Sequence, residues 1–352
     1  MRDGAGSLWV VEDGLFRAHQ ALPGELTAIV CLHTHSCYSR ENLASLNWVV
    51  DLGYMRPFKG LLQWSFGLGG IPDLDYSELG YHPPFRPDEI WRMEAENARR
   101  LGAGRLMLAI TDHDEVTGAL ELRRAHPEHS QQIALGEELS IRFDDHVFHL
   151  GVSGLPEDRV HDVNTSLHAS ARLGRLDAVF EELHSLGCLV VLNHPLMAWH
   201  GRETHVPALD LLNHYGWAVA ALELNGMRPL AENEAVVALA RQVRKPLVGG
   251  GDSHLLKPSS ALCASGAATY ADFIAEVRSG LARPILTREY FSPLRWRMSL
   301  RVLSFIADYR RIAHFRGTPI HARLQGRRVF LDPVGRLARG ALRLADLLGW
   351  SA

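Results

Sequence analysis

Short apolar runs recur along the chain at residues 26–32, 105–110, 146–152, 188–192, 218–224, 246–249 and 284–286. Most are apolar throughout rather than alternating, the pattern of strands buried on both faces of a parallel sheet. Between them stand stretches with helical period, at 87–101, 172–186 and 232–243. Alternating β and α over this length predicts an α/β barrel or a doubly wound sheet. There is no internal repeat and no low-complexity segment. Two segments break the rhythm. Residues 41–84 turn aromatic and Gly-rich, with Trp48, Tyr54, Phe58, Trp64, Phe66, Tyr76 and Tyr81. They read as an insertion over a barrel mouth, either a lid that excludes water or a packing appendage. Near the end, Leu337, Ala341, Leu344 and Leu348 recur at helical spacing with Arg336, Arg339 and Arg343 between them and Gly349 as a C-cap.

The chain has 352 residues, enough for one large domain or two ordinary ones. At 47% hydrophobic and 22% charged residues it has globular composition and can bury a core without staples. Disordered, collagen-like and coiled-coil classes are therefore not expected. The longest apolar runs are strand-sized, so no membrane span is expected. Residues 1–14 lack a basic region followed by an apolar stretch, so no secretory signal is expected. The four cysteines (Cys31, Cys37, Cys188, Cys263) form no CxxC pair, which fits a reducing, cytoplasmic setting. The net charge of −3 hides an asymmetry: residues 290–352 hold twelve Arg and three Asp, a local +9 that leaves −12 elsewhere. This tail reads as a helical cap docking on an acidic barrel. The alternatives are contact with nucleic acid, anionic lipid or an acidic partner.

Nineteen histidines are many for this length, and their placement matters more than their number. His33-Thr34-His35, Thr111-Asp112-His113-Asp114, Gly136-Glu137-Glu138, Asn193-His194-Pro195 and Gly251-Asp252-Ser253-His254 each follow an apolar run; His149 lies within one, and Glu223 and Asn225 end another. In α/β barrels, polar residues at the C-terminal strand ends face one shared mouth. Neutral imidazole and carboxylate are good ligands for Zn, Mn and Fe. Six His with at least two carboxylates exceed one tetrahedral site, so two or three divalent metal ions are inferred.

In this order, His33-Thr34-His35-Ser36, Thr111-Asp112-His113-Asp114 with Gly118, Gly136-Glu137-Glu138 with His149-Leu150-Gly151, His194-Pro195 and Asp252-Ser253-His254 resemble the motifs of the PHP (polymerase and histidinol phosphatase) family. The resemblance spans roughly residues 26–287 apart from the insertion. It implies a distorted (β/α)7 TIM-like barrel, and hence a division into an N-terminal extension (1–25), a barrel (26–289, insertion 41–84) and an Arg-rich extension (290–352). It implies three metal sites: His33, His35, Glu138 and Asp252; His113 and His254; His149 and His194, with Glu138 bridging. It implies metal-dependent phosphoester hydrolysis by a metal-activated hydroxide. Asp112 and Asp114 become candidates for orienting His113 or shuttling protons.

One position departs from the pattern. The family usually has an acid five residues after the second His of the first motif, where this chain has Arg40. Glu41, Asp51, Asp73 or Asp75 substitutes, or the second site is weaker or empty. Arg40 itself either grips a substrate phosphate or is a solvated loop residue. Cys31 stands where the family often has Asp and reads as a small buried residue. His200 and His205 are candidates to reach substrate, Glu223 to support a ligand, and Arg202, Arg228 and Lys257 to bind phosphate or to lie on the surface. His19, His126, His129, His161, His168, His184, His314 and His321 read as core or surface residues. The expected activity is a phosphoesterase acting on a small phosphomonoester. The alternatives are a phosphodiesterase or exonuclease on nucleic-acid ends and a non-catalytic metal-binding module. The sequence leaves substrate, metal identity and oligomeric state open.

Overall fold

The computed structural model describes residues 8–42, 52, 80–197, 206–254, 257–307, 320–321 and 338–343. Residues 43–51 and 53–79 of the insertion, His200, Arg202, His205 and most of the tail, including Leu344, Leu348 and Gly349, lie outside the described residues.

The chain is mixed α/β, with two main sheets. The first has the order β2 (Leu15–His19), β1 (Leu8–Glu12), β14 (Arg283–Thr287), β13 (Ala261–Ser265), β3 (Ala28–Cys31), β6 (Arg105–Ala109), β7 (Ile133–Ala134). The second has the order β12 (Leu247–Gly250), β11 (Ala221–Asn225), β10 (Leu189–Asn193), β9 (His146–Ser153), β8 (Gly136–Phe143). A small third sheet joins β4 (Glu41–Asn42), β5 (Gly80–Tyr81) and β15 (Ile320–His321). The helices are α1 (Pro87–Arg100), α2 (Thr117–Ala125), α3 (Val160–Arg172), α4 (Leu176–Ser185), α5 (Pro207–Tyr215), α6 (Leu230–Val243), α7 (Tyr270–Ser279) and α8 (Leu294–Ala307).

The expectation of parallel strands holds only for β3–β6–β7 and β10–β11–β12; every other pairing in the two main sheets is antiparallel. Turn chemistry overrides the apolar pattern. Asp144-Asp145, with Asp144 at φ +49°, folds β9 straight back on β8. Asp13 and Gly14, both at positive φ, fold β2 back on β1, the Asp-Gly signature of a two-residue hairpin. The 172–186 stretch also divides: Gly174 at φ +68° separates α3 from α4.

No closed barrel forms among the described residues, in contrast to the (β/α)7 expectation. The main ladders stay separate but meet at two seams. At one, β7 passes through Leu135 directly into β8. At the other, Gly249 of β12 lies against the backbone of β13, where a Cβ would run into the Leu262 carbonyl. Isolated parallel bridges, Thr34 to Ser253 and His113 to Glu138, join the sheets just past the C-terminal ends of β3, β12 and β6. These ends carry the histidine motifs.

One buried cluster draws residues from both sheets, many of them small, beside Leu32, Met107 and Leu189. Ala28, Val30, Ala109, Ala134, Val191 and Ala221 are buried there, and Tyr270, Phe273 and Val277 of α7 join the same cluster. Small side chains let the sheets approach, while the opposite strand faces, such as Ile29 and Cys31 on β3, pack in the larger cluster that includes helix residues. α7 is fixed by its ends: Thr269 and Asp272 form a capping box, and Gly280 closes it at φ +70°.

At the Gly249 seam the clashing atom belongs to backbone and cannot swing aside. Gly249→Ala is therefore expected to destabilise the chain by about 3 kcal/mol. A lowered urea midpoint at unchanged m-value would register this loss, whereas an unaltered midpoint would show that the seam yields.

Candidate metal centre

Glu138, 1% exposed on β8, sits inside a ring of five imidazoles. Its Oε2 lies 3.1 Å from His33 Nε2, 3.4 Å from His35 Nε2 and 3.4 Å from His113 Nδ1. Its Oε1 lies 3.4 Å from His149 Nδ1 and 3.1 Å from His194 Nε2. Adjacent ring centroids run 5.0 Å (His33–His35), 4.9 Å (His35–His113), 4.9 Å (His113–His149), 5.1 Å (His149–His194) and 5.8 Å (His194–His33). His254 stacks on His35 at 4.1 Å and touches Asp252 Oδ1 at 3.2 Å. Asp252 Oδ1 also lies 3.7 Å from Nε2 of both His33 and His35.

The local backbone explains how separate strands deliver these groups. Asp114, His194 and Asp252 all take positive φ (54°, 29° and 48°), turning sharply where strands leave the sheet. Such conformations are costly for non-glycine residues and persist where surrounding bonds hold them. His194 N donates to Glu223 Oε2 at 2.8 Å, and Asp114 N to the Glu138 carbonyl at 3.0 Å.

The donors fit a divalent cation. His33 Nε2, His35 Nε2, His149 Nδ1 and Glu138 Oε2 are buried without a hydrogen-bond partner. Such atoms are expensive to leave unmatched. Four overlapping groups bring their donor atoms within 4.8 Å of one another: His35/Glu41/His113/His254, His33/Glu138/His194, His33/His35/Asp252 and His113/Glu138/His149. Imidazole nitrogen with carboxylate oxygen suits Zn, Mn or Fe.

The electrostatics agree. Among the described residues, the ion pairs of Glu41, Glu138, Glu223 and Asp252 are all made with imidazoles. Burial alone would raise the Glu138 and Asp252 carboxyls, but His33 foremost, with His113 on Glu138 and His254 on Asp252, holds both well below the usual range. Burial is likewise outweighed at Glu41, by His254 and His35. Burial would lower His113 and His254, yet Glu138 and Glu41 lift His113 to about 10, and Glu41 and Asp252 lift His254 to about 9. His33 is also raised, against burial, by Glu138 and Glu223. His35 goes the other way, to about 3, through burial and the neighbouring His254. It is thus a neutral imidazole with a free lone pair.

Every histidine and acid expected as a ligand lies in this cluster. At the position that departs from the family pattern, the described residues are Arg40 and its neighbour Glu41. Arg40 is exposed, whereas the Glu41 carboxylate lies 3.5 Å from His35, 3.3 Å from His113 and 3.3 Å from His254. Ser39 Oγ donates to Glu41 Oε1 at 2.5 Å and accepts from His113 N at 3.0 Å, fixing the turn that points Glu41 inward.

Asp112 and Asp114 have other partners than His113. Asp112 accepts from Ser36 N at 2.5 Å and Ser36 Oγ at 2.6 Å, so it holds the loop bearing His33 and His35. Burial pushes its carboxyl up to about 7. Gly118 leaves room for this contact, since a Cβ there would strike both partners. Asp114 accepts from Ser140 N at 2.8 Å and so ties the turn to β8.

Glu223 proves to be a support: its Oε1 lies 2.6 Å from His33 Nδ1, and Asn225 Nδ2 bridges it (2.9 Å) to Asp252 Oδ2 (3.0 Å). Asn193 Nδ2 donates to Glu138 Oε1 at 3.0 Å. Ser36, Ser39 and Asn193 are supports without an expected role, although Ser36 and Asn193 lie within motifs and Ser39 adjoins Arg40. His168, read as a core or surface residue, pairs at 2.7 Å with buried Glu137, which faces α3 rather than the cluster. Cys31 is buried.

No family model matches the chain, and no curated protein does. Solved structures resemble it in part. A candidate metal-dependent phosphoesterase from Bifidobacterium adolescentis is 17% identical at TM-score 0.36, over 49% of this chain and 83% of that one. An amidohydrolase from Chromobacterium violaceum, solved with sulfate and no metal, gives the same identity, TM-score and coverage. A two-domain protein from Bacteroides vulgatus, described as containing a PHP-like metal-dependent phosphoesterase, is 14% identical at TM-score 0.41. That match covers 59% of this chain and 62% of the other, less than two thirds of its length.

Two outcomes follow for the metal centre. Glu223→Gln weakens the charge-assisted bond that orients His33, and metal affinity measured by competition with a chelator should fall about 10–100-fold. Wild-type affinity in this variant would remove Glu223 from the centre. The pH dependence has a definite sign. The raised His113 and His254 stabilise the metal-free chain fully below their unfolded value of ~6.5. That contribution is lost as pH rises through about 9 to 10. A bound cation replaces those protons, so the gain in melting temperature on adding Mn should grow from pH 6 to pH 10. A flat or falling gain would contradict this linkage.

Proposed function

We propose that this chain is a metal-dependent hydrolase of the PHP type that cleaves a phosphoester, with a small phosphomonoester as the first substrate class. The carrying observation is the ring of five imidazoles around buried Glu138, flanked by Glu41, Asp252 and His254, in which four buried N and O atoms make no hydrogen bond. The proposed ligand sets for two or three ions are His33, His35, Glu138 and Asp252; His113, His254 and Glu41; His149 and His194, sharing Glu138. Bound Zn, Mn or Fe would supply neutralisation of the phosphate oxygens and acidification of water towards neutral pH.

The chain's own residues then have distinct tasks. Glu223 and Asn225 orient His33 and Asp252. Asp112 fixes the His33–Ser36 loop, and Asp114 fixes the turn after His113. Arg40, exposed beside Glu41, is suited to grip a phosphate through its planar fork. At the level of architecture, the two rim bridges support reading residues 26–289 as one unit whose two sheets join at the end that carries the motifs, with the 41–84 insertion and the 290–352 extension as additions to it. Four free cysteines favour a reducing compartment such as the cytoplasm.

The test is elemental analysis of gently purified protein together with phosphate release from a panel of phosphoesters. Two or three ions per chain and turnover of at least one ester are expected. Glu41→Ala should remove about one ion and cut turnover at least about 10²-fold. Arg40→Ala should chiefly raise KM. Stoichiometric metal without release from any monoester or diester would overturn the proposal.

A further inference from the structure

A cavity of about 630 Å³ opens beside the short 3₁₀ helix Arg288–Phe291 and the start of α8. Its volume is that of a small-molecule site. Three cations line it: Lys257, Arg288 and Arg297. Its apolar wall includes Trp9 and Phe291, whose ring centroids lie 4.2 Å apart. The lining acid, Glu289, lies 3.7 Å from Arg301, so its charge is already shared. Arg297 is 3% exposed; its guanidinium lies 4.6 Å from the Tyr290 ring centroid and, among the described residues, donates to the carbonyls of Ser292, Gly226 and Arg228. None of the three cations forms a salt bridge among the described residues. A buried cation held by carbonyl dipoles and a ring face, in a cavity lined by two further cations, leaves positive charge there without a carboxylate partner.

The cavity lies at the same end of the fold as the metal centre. β13 runs antiparallel to β3, and β14 antiparallel to β13, with Thr287 N donating to Ser260 O at 2.9 Å. This puts Arg288 and Lys257 at the rim reached by His33 and His35. Lys257 follows His254 by three residues, so their Cα atoms are at most about 11 Å apart. Arg301, one turn along α8 from Arg297, reaches Ser253 Oγ at 3.4 Å, between Asp252 and His254.

We infer that this cavity is a binding site for a flat, apolar organic anion, and that its occupant is the remote part of the molecule whose ester lies at the metal centre. The aromatic pair would take the flat face and the three cations the charge. The binding claim stands on the cavity alone; only the identification with substrate rests on the phosphoesterase reading.

Naphthalene-2-sulfonate, which has no ester to hydrolyse, is a suitable probe. Calorimetry on the full chain should give one site, with the same affinity before and after chelator treatment, weakening as salt rises. Lys257→Gln with Arg288→Gln should weaken it at least about tenfold, as should Trp9→Leu alone, with circular dichroism and melting temperature confirming the fold. Absence of binding, binding lost with the metal, or binding indifferent to both variants would overturn the site. Against an ester that wild-type protein hydrolyses, the sulfonate should raise KM and leave kcat unchanged; inhibition of kcat alone would overturn the assignment to substrate. If no ester is turned over, the phosphoesterase reading fails while the calorimetry still decides the cavity.

Discussion

The buried Glu138 carboxylate is the interaction on which the rest of the centre depends. Five imidazoles from three strand ends and β9 converge on its two oxygens. A carboxylate buried to this extent is costly unless charge is brought to it. Here that charge comes from imidazoles, which can surrender their protons to a cation, rather than from lysine or arginine, which would hold the site permanently neutral. The same backbone segment joins the two sheets: Glu138 N donates to Asp112 O and Glu138 O accepts from Asp114 N. One residue therefore closes a seam of the fold and forms the centre of the cluster.

The support around it is organised in pairs. Glu223 and Asn225 project from the end of one strand to hold His33 and Asp252, which come from two others. Asp112 binds Ser36 and Asp114 binds Ser140, each locking one loop to its neighbour. Three positive-φ residues mark where these loops bend. The strain at those bends is sustained by side-chain bonds to the next motif, so ligand loops and supports stabilise each other.

Much of this centre was legible because its chemistry is local in sequence. His33, His35, His113, Glu138, His149, His194, Asp252 and His254 each lie in or just beyond a buried run, and strand ends of an α/β fold face one rim. Glu41 was harder to single out, since spacing pointed to Arg40 and only the Ser39 turn decides which of the two faces inward. Strand direction was the least legible feature. An apolar run reports burial on both faces but not polarity of pairing, and a two-residue Asp-Asp turn sufficed to make β8 and β9 antiparallel. β13 was missed because its small residues carry little hydrophobic signal.

The basic extension begins inside this same design. The loop of residues 252–260 carries Asp252 and His254 and is held from two sides by opposite charges. From α1, Glu94 accepts from Ser259 N and Ser259 Oγ, both at 2.8 Å. From α8, Arg301 donates to Pro258 O at 3.2 Å and Ser253 Oγ at 3.4 Å. Both side chains are almost wholly buried. Burial raises the Glu94 carboxyl, while Ser259 and Asn97 bonds and the Arg301 charge pull against that rise. Removing either residue would leave the other charge poorly compensated beneath a ligand loop. Arg301, at the start of the extension, thus acts less as a surface coating than as a counter-charge to buried Glu94, and the metal loop is held by both.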